Sequence, residues 1–305
     1  MGFGRVTGLP SPPPARSLVP RPSCSLGLCL FGKKCERRAA YGLAMAGDCG
    51  GAFAPRLWIY TNFDCNLRCD YCCARSSPRA ERRALPLPAH RRLVDEAVAA
   101  SITEFFLTGG EPFVLGDIAE RIAYAAERAP TTVLTNAMLF QGTRLAALES
   151  LQGRDVCFQV SLDAPEPGPH DRVRGAGSWA KAVEGIETLI QLGFEVGIST
   201  TETEANACSR ARMPEFVESI GIPRERQFFR PLAKRGFSEM GTDVSPRSLE
   251  PELTVSVDGV FWHPLACEDD LLITRRIAPF GDAVKQAHTL YHGILASGAL
   301  PQRFR

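Results

Sequence analysis

The 305-residue sequence has no run approaching the roughly 20 uninterrupted apolar residues that a membrane-spanning helix requires. It has almost no net charge either. Its 35 Lys/Arg stand against 34 Asp/Glu, a balance of +1, and bulk charge gives no case for a nucleic acid or another polyanion as partner. A disulfide scaffold is also excluded, because the 11 cysteines are too few for a chain this long, are odd in number and are unevenly placed, with a tight cluster of four in residues 65–73. What is present, 45% apolar and 23% charged residues, is the composition of a globular chain long enough for one large domain or two small ones.

Acidic residues are missing from the first 35 positions, the first being Glu36. Residues 1–48 hold seven of the Lys/Arg and two of the acids, which leaves 28 against 32, or −4, for residues 49–305. Pro10, Pro12, Pro13, Pro14, Pro20 and Pro22 forbid regular structure in this leader. Its Arg and Ser with few acids resemble an organelle transit peptide, whereas a start at Met45 would remove it altogether. Both readings leave residues 1–48 outside the fold and make Cys24, Cys29 and Cys35 bystanders. The expected location is cytoplasmic, with organelle import if the leader is genuine.

From Arg56 the pattern alternates strand and helix. Strands are expected at Arg56–Thr61, Ile102–Leu107, Thr132–Thr135, Val156–Leu162, Glu195–Thr200 and Gln227–Arg230. Helices are expected at Pro88–Ala100, Asp117–Ala129, Thr143–Leu151, Trp179–Leu192 and Met213–Ile220, the first burying Leu93, Val94, Ala97 and Val98. Six such units, the last incomplete, imply a parallel sheet with crossover helices and functional residues at the carboxyl ends of the strands. After Arg235, Glu252–Val257 and Val260–His263 flank Asp258-Gly259, a hairpin signal, and a helix follows at Ala283–Leu295. The expected division is a leader (1–48), a core (49–236) and a C-terminal cap (237–305).

The first strand runs into Cys65-Asn66-Leu67-Arg68-Cys69-Asp70-Tyr71-Cys72-Cys73. Three thiolates spaced C-x3-C-x2-C in one loop can hold three irons of a [4Fe–4S] cube and leave the fourth open to a small molecule. Structural zinc wants four ligands, usually from two C-x2-C pairs, and no second pair follows. A zinc- or cluster-binding module without catalysis is the alternative reading, as is a relative that binds the cluster but no second cofactor.

The segment resembles the CxxxCxΦC signature of the radical S-adenosylmethionine (SAM) superfamily, with Cys65, Cys69 and Cys72 as the cysteines and Tyr71 as the aromatic. The resemblance extends from about Arg56 to Arg235 and is nearest to the molybdenum-cofactor cyclases and the SPASM/twitch peptide-modifying enzymes. It implies a partial (β/α)6 TIM-like barrel with a small C-terminal α+β extension, an iron–sulfur cluster of the 4Fe-4S type, and SAM. The implied reaction is reductive cleavage of SAM to methionine and a 5′-deoxyadenosyl radical, which abstracts hydrogen from a substrate. It also implies an electron donor such as ferredoxin or flavodoxin and a peptide or small-molecule substrate, with no nucleic acid or membrane involved.

Further positions are carried by the same resemblance. Gly109, Gly110 and Glu111 resemble a GGE motif at the SAM amino group. Thr135-Asn136 resembles TNG, with Ala137 in place of glycine, and so brings in Asn136. Ser161-Leu162-Asp163 and His170-Asp171-Arg172-Val173-Arg174 resemble SLDG…HD..R, which assigns Ser161 and Arg174 to SAM, with Arg172 as rival to Arg174. His170 is expected to fix its loop, and Pro165, Pro167 and Pro169 to stiffen it. Phe229–Gly236 resembles an RPL…G ending, and Cys267 the start of a SPASM/twitch extension. With Cys267 alone after the sixth strand, an auxiliary cluster is not expected. Cys157 is expected in the core, and the basic loop Arg75–Arg83 at the surface, where it could meet a reductant or an acidic substrate.

Overall fold

The computed structural model describes residues 55–304. The leader lies outside the described residues, and so do Cys24, Cys29, Cys35 and Cys49. The parallel strands are β1 (Arg56–Tyr60), β2 (Glu104–Thr108), β3 (Thr131–Thr135), β4 (Val156–Ser161), β5 (Glu195–Thr201) and β6 (Gln227–Arg230). Helices α1 (Leu87–Ala99), α2 (Ile118–Ala126), α3 (Thr143–Glu149), α4 (Pro167–Arg174), α5 (Ser178–Gln191) and α6 (Met213–Ser219) fall in the crossovers between them. The tail adds β7 (Thr254–Ser256), β8 (Gly259–Phe261), β9 (Leu272–Thr274) and α7 (Phe280–Ala296).

Among the described residues these strands form one sheet in the order β6-β5-β4-β3-β2-β1-β7-β8-β9. The sheet does not close, because β6 and β9 are its two outer strands. Each of β1–β6 pairs in parallel with its neighbour in sequence, as crossover connections dictate. This is the open α/β architecture expected of a partial (β/α)6 barrel. No described helix is long and apolar enough to cross a membrane.

Alternation along the strands decides which residues face the helices. Val156, Phe158 and Val160 of β4 are buried, and Phe158 meets Phe194 edge-on at 5.0 Å. Cys157 is on the other face and only half-buried, which corrects its expected place in the core. On α1 the buried stripe is His90, Leu93, Val94 and Ala97. Val98 is 40% exposed, because a 3.6-residue period through 94 and 97 runs back to 90 and passes 98 by.

Two further expectations shift. The segment stiffened by Pro167 and Pro169 is helix α4 rather than a loop, since proline in the first turn gives up only N–H groups that have no intrahelical partner there. The hairpin turn is Val257-Asp258, with Ser256 opposite Gly259. Gly259 opens β8 at φ +144°, where a Cβ would stand 2.5 Å from the Thr274 carbonyl oxygen of β9, so its glycine serves close strand approach.

Candidate active site

Because β1–β6 are parallel, their carboxyl ends gather at one edge of the sheet, and a cavity of about 270 Å³ opens there. All ten residues expected to bind a cofactor line it: Cys65, Cys69, Tyr71, Cys72, Gly109, Gly110, Glu111, Asn136, Ser161 and Arg174.

The cysteine loop is tied to the end of β2. The Gly110 N–H donates to Asn62 O (2.9 Å), the Glu111 N–H to Asp64 O (3.0 Å), and Asn62 Nδ2 to Glu111 O (3.1 Å). A Cβ on Gly110 would stand 2.1 Å from the Asp64 carbonyl oxygen, so this approach requires glycine. The Glu111 carboxylate, 1% exposed, turns towards β3. It accepts the Thr135 hydroxyl (2.7 Å) and the N–H groups of Asn136 (2.8 Å) and Phe113 (3.1 Å). Burial raises its pKa, and these three donors oppose that rise. Asn136 Nδ2 in turn donates to Asn66 Oδ1 (2.8 Å) and approaches Cys65 Sγ at 3.9 Å.

Ala137 has φ +59°, the left-handed conformation that glycine takes without cost. The backbone at this position is glycine-like although the residue is alanine. The methyl is accommodated because α5 presents Gly185, whose own Cβ would stand 1.9 Å from Ala137 O.

Arg174 and Arg172 part company in α4. Arg174 is 7% exposed and lines the cavity, whereas Arg172 is exposed and does not. The Arg174 Nη1 donates to Tyr71 Oη (2.7 Å) and lies 3.5 Å from Asp163 Oδ2, while Tyr71 Oη also donates to Asp163 Oδ2. Burial works against the guanidinium charge, but Cys69, Tyr71 and Asp163 outweigh it and hold the group protonated. Asp163 is fully buried and accepts the Thr201 N–H at 2.9 Å, and His170 Nδ1 accepts the Asp163 N–H at 3.1 Å. His170 thus fixes the loop after β4. Burial lowers its pKa to about 4.

The residues suit an iron–sulfur cluster. Two thiols already receive main-chain N–H groups, Leu67 N to Cys65 Sγ at 3.3 Å and Ser76 N to Cys72 Sγ at 3.4 Å, the kind of donor that stabilises a ligating thiolate. Burial and the Glu111 carboxylate push the free Cys65 thiol up to about 12, so ionisation there calls for a cation, and ligated metal removes such a proton outright. Among the described residues no three Cys, His, Asp or Glu side chains converge as on a single ion. A cube spreads its thiolates over separate irons and does not ask for such convergence.

The tail reaches the same loop. The Phe237 N–H donates to Cys72 O (3.1 Å), Arg75 Nε lies 3.5 Å from Glu268, and Arg83 pairs with Asp258 at 2.5 Å. Arg79 and Arg82 of the basic loop are exposed. Cys208 is exposed, and Cys267 is half-buried in the tail.

Arg230 of the RPL…G ending lines the cavity as well, and so do Trp58, Glu252 and His263, which sequence reasoning missed. A signal existed for His263, a polar residue ending the apolar run Val260-Phe261-Trp262. Burial lowers its pKa to about 4.

Residues 59–203 match the family model for the Radical SAM superfamily. Similar curated proteins include the AdoMet-dependent heme synthase of Methanosarcina barkeri, 29% identical over 203 residues that cover 65% of this chain and 56% of that protein. Another is the mycofactocin maturase MftC of Mycolicibacterium smegmatis, 32% identical over 151 residues that cover 49% and 38%. The chain spans about half the length of the curated relatives it matches. Two solved structures share the fold. Native anSMEcpe with bound AdoMet has a TM-score of 0.57 at 13% identity, covering 77% of this chain and 82% of that one. Streptococcus suis SuiB bound to precursor peptide SuiA has a TM-score of 0.54 at 18% identity, covering 74% and 51%.

Proposed function

We propose, from the premise that this chain carries a radical SAM domain, that it is a radical SAM enzyme in which Cys65, Cys69 and Cys72 hold one [4Fe–4S] cluster. When bound, the cluster supplies the electron that cleaves SAM to methionine and a 5′-deoxyadenosyl radical for hydrogen abstraction. The observation that carries this reading is the meeting of the three cysteines, the Gly109–Glu111 turn, Ser161 and Arg174 around one cavity.

The chain's own residues then bind, orient and shield. Leu67 N–H and Ser76 N–H stabilise thiolate at Cys65 and Cys72. Glycine at 109 and 110 lets main chain approach the SAM amino group, with the turn set by the Glu111 carboxylate. Among the described residues Arg174 is engaged through Nη1, which leaves Nε and Nη2 to receive the SAM carboxylate as a fork. Tyr71 and Asp163 fix the plane of that fork, and Asn136 and Ser161 complete the polar wall. The tail over the cysteine loop keeps solvent from a reactive intermediate. The reaction needs an electron donor, for which a ferredoxin or flavodoxin is suited, and a substrate, a peptide or small molecule.

Anaerobic reconstitution of the full chain with iron and sulfide tests this. The wild type is expected to turn brown, bind about four iron atoms per chain and release 5′-deoxyadenosine on reduction with SAM. Cys72→Ala is expected to lose the visible absorption and the cleavage. Full iron content in that variant overturns the ligand assignment, and a colourless wild type holding one zinc overturns the reading itself.

A further inference from the structure

Part of the cavity wall comes from outside the turns that follow β2, β3 and β4. Trp58 belongs to β1, Arg230 ends β6, and Glu252 and His263 belong to the tail beside β7 and β8. Arg230, Glu252 and His263 line the same cavity, so the two margins of the parallel strands, β6 and β7, both reach this place.

His263 is 5% exposed. Its Nδ1 accepts the Leu265 N–H at 3.3 Å. A ring nitrogen that accepts an N–H carries no proton, so the neutral imidazole carries its proton on Nε2. That Nε2 has no partner among the described residues, and it is not among the sealed polar atoms. A nearly buried ring therefore presents one unused donor to the cavity. A ligand acceptor in the cavity can meet that donor directly.

Glu252 is held in a complementary way. Its main-chain N–H donates to Trp262 O at 2.9 Å, which makes it a cross-strand neighbour of the residue before His263. Its Oε2 accepts Trp58 Nε1 at 2.7 Å, and Trp58 is itself stacked on Phe106 at 4.5 Å. Oε1 has no partner among the described residues. One rigid hairpin thus offers the cavity a donor and an acceptor, both fixed from behind.

We infer that Trp58, Glu252 and His263 form a substrate subsite for a peptide amide, in which His263 Nε2–H donates to a substrate carbonyl oxygen and Glu252 Oε1 accepts a substrate N–H. The inference rests on the radical SAM reading of the same cavity and narrows its substrate to a peptide. At the pair itself a carboxylate would face the Glu252 charge and a neutral imidazole, with Arg230 of β6 as the cation at this margin, whereas the His263 donor and the Glu252 acceptor together call for a neutral partner. An amide carries the matching pair of groups with no net charge.

The test uses the full chain, reconstituted anaerobically and loaded with SAM. It is equilibrated with a millimolar pool of N-acetylated, C-amidated tripeptides that vary the central residue, and separately with Fe-coproporphyrin III. Retained ligand is read by ultrafiltration with mass spectrometry or absorbance. The wild type is expected to retain a subset of the tripeptides. His263→Phe and Glu252→Ala are expected to weaken that retention roughly tenfold. His263→Gln, whose side-chain amide restores a donor, is expected to recover most of it. Retention unchanged in His263→Phe and Glu252→Ala overturns the inference, as does a wild type that retains Fe-coproporphyrin III and no tripeptide. Iron content and SAM binding of the same wild-type sample separate the two levels. Without iron the radical SAM reading fails, whereas with iron and SAM bound but no tripeptide retained, only the peptide subsite fails.

Discussion

The turns after β1–β4 and the tail after β6 meet around one cavity, but they are held by different forces. In the turns, buried polar groups answer one another across elements: Asn62 to Glu111, Glu111 to Thr135 and Asn136, and Tyr71 with Arg174 to Asp163. Outside the Glu252 hairpin, where the tail covers the cysteine loop, its polar ties are half-open ion pairs, Arg235 with Glu268 (3.0 Å) and Asp270 (2.5 Å), and Arg75 with Glu268 (3.5 Å). The tail's own cohesion comes from a small apolar cluster of Val244, Leu249, Trp262, Ala266 and Leu271. Buried networks lose several kcal/mol when one member is removed, whereas exposed pairs are worth at most about 1 kcal/mol. The turns are therefore built to fixed geometry, whereas the stretch of tail over the cysteine loop is an apolar cover with weak polar stitching.

The comparison breaks most sharply at Gly110. Alanine there places a Cβ 2.1 Å from the Asp64 carbonyl oxygen and 2.7 Å from that of Phe63, main-chain atoms with no flexible side chain to yield. Gly110→Ala is expected to push the cysteine loop off β2, abolishing SAM binding and most iron uptake. Wild-type iron content and SAM affinity in that variant would show that the loop's anchorage is loose after all.

Asp163 comes next. It is fully buried, pairs with Arg174 and accepts from Tyr71 and from the Thr201 N–H. Asp163→Ala strands a buried guanidinium, for which a loss of about 3–5 kcal/mol is expected in denaturant unfolding. SAM affinity should fall by at least roughly tenfold, measured by equilibrium dialysis, because the fork at Arg174 loses its orientation. Asp163→Asn keeps the shape and an acceptor for Thr201, and is expected to fall between the two.

Both parts contain a histidine that burial holds neutral, His170 behind the turn after β4 and His263 in the tail, each with its pKa lowered from 6.5 to about 4. Arg174 reinforces the shift at His170 and Arg230 that at His263, while nearby carboxylates oppose it. Between these values the unfolded chain binds the proton and the folded chain does not. The stability is therefore complete above pH 6.5 and is lost as pH falls towards 4, by up to about 3 kcal/mol for each ring. Urea unfolding at pH 7, 5.5 and 4.5 should show this slope, and His170→Gln or His263→Gln should each flatten it. Equal slopes in the wild type and both variants would assign the acid lability elsewhere.

These outcomes follow how far the site could be read from sequence. The succession of strand-like and helix-like segments located β1–β6 within a few residues, because parallel strands covered on both faces read as near-continuous apolar runs. The cysteine spacing and the Gly-Gly-Glu turn were legible because covalent order dictates them. Helix α4 was not, since its prolines read as loop breakers until their first-turn positions are known. Ala137 looked like a departure at a glycine position, yet its backbone keeps φ +59°, made possible by Gly185 some 50 residues away. Glu252 was invisible for the same reason, as strand pairing across the sheet brings it to Trp58 and sequence distance hides it.

The weakest expected effect lies in the tail and sharpens the contrast with Asp163. Glu268 accepts from Arg235 and approaches Arg75, a residue whose side chain is 63% exposed. Solvent screens that pair, and Arg235 keeps Asp270 and the Val244 carbonyl when Glu268 is neutralised. Glu268→Gln is therefore expected to cost less than about 1 kcal/mol, and 0.5 M salt should erase most of that difference. The measurement is denaturant unfolding of the two proteins at low and high salt. A salt-insensitive loss of several kcal/mol would mean that Glu268 belongs to the rigid part of the site, and that the tail clamps the cysteine loop instead of covering it.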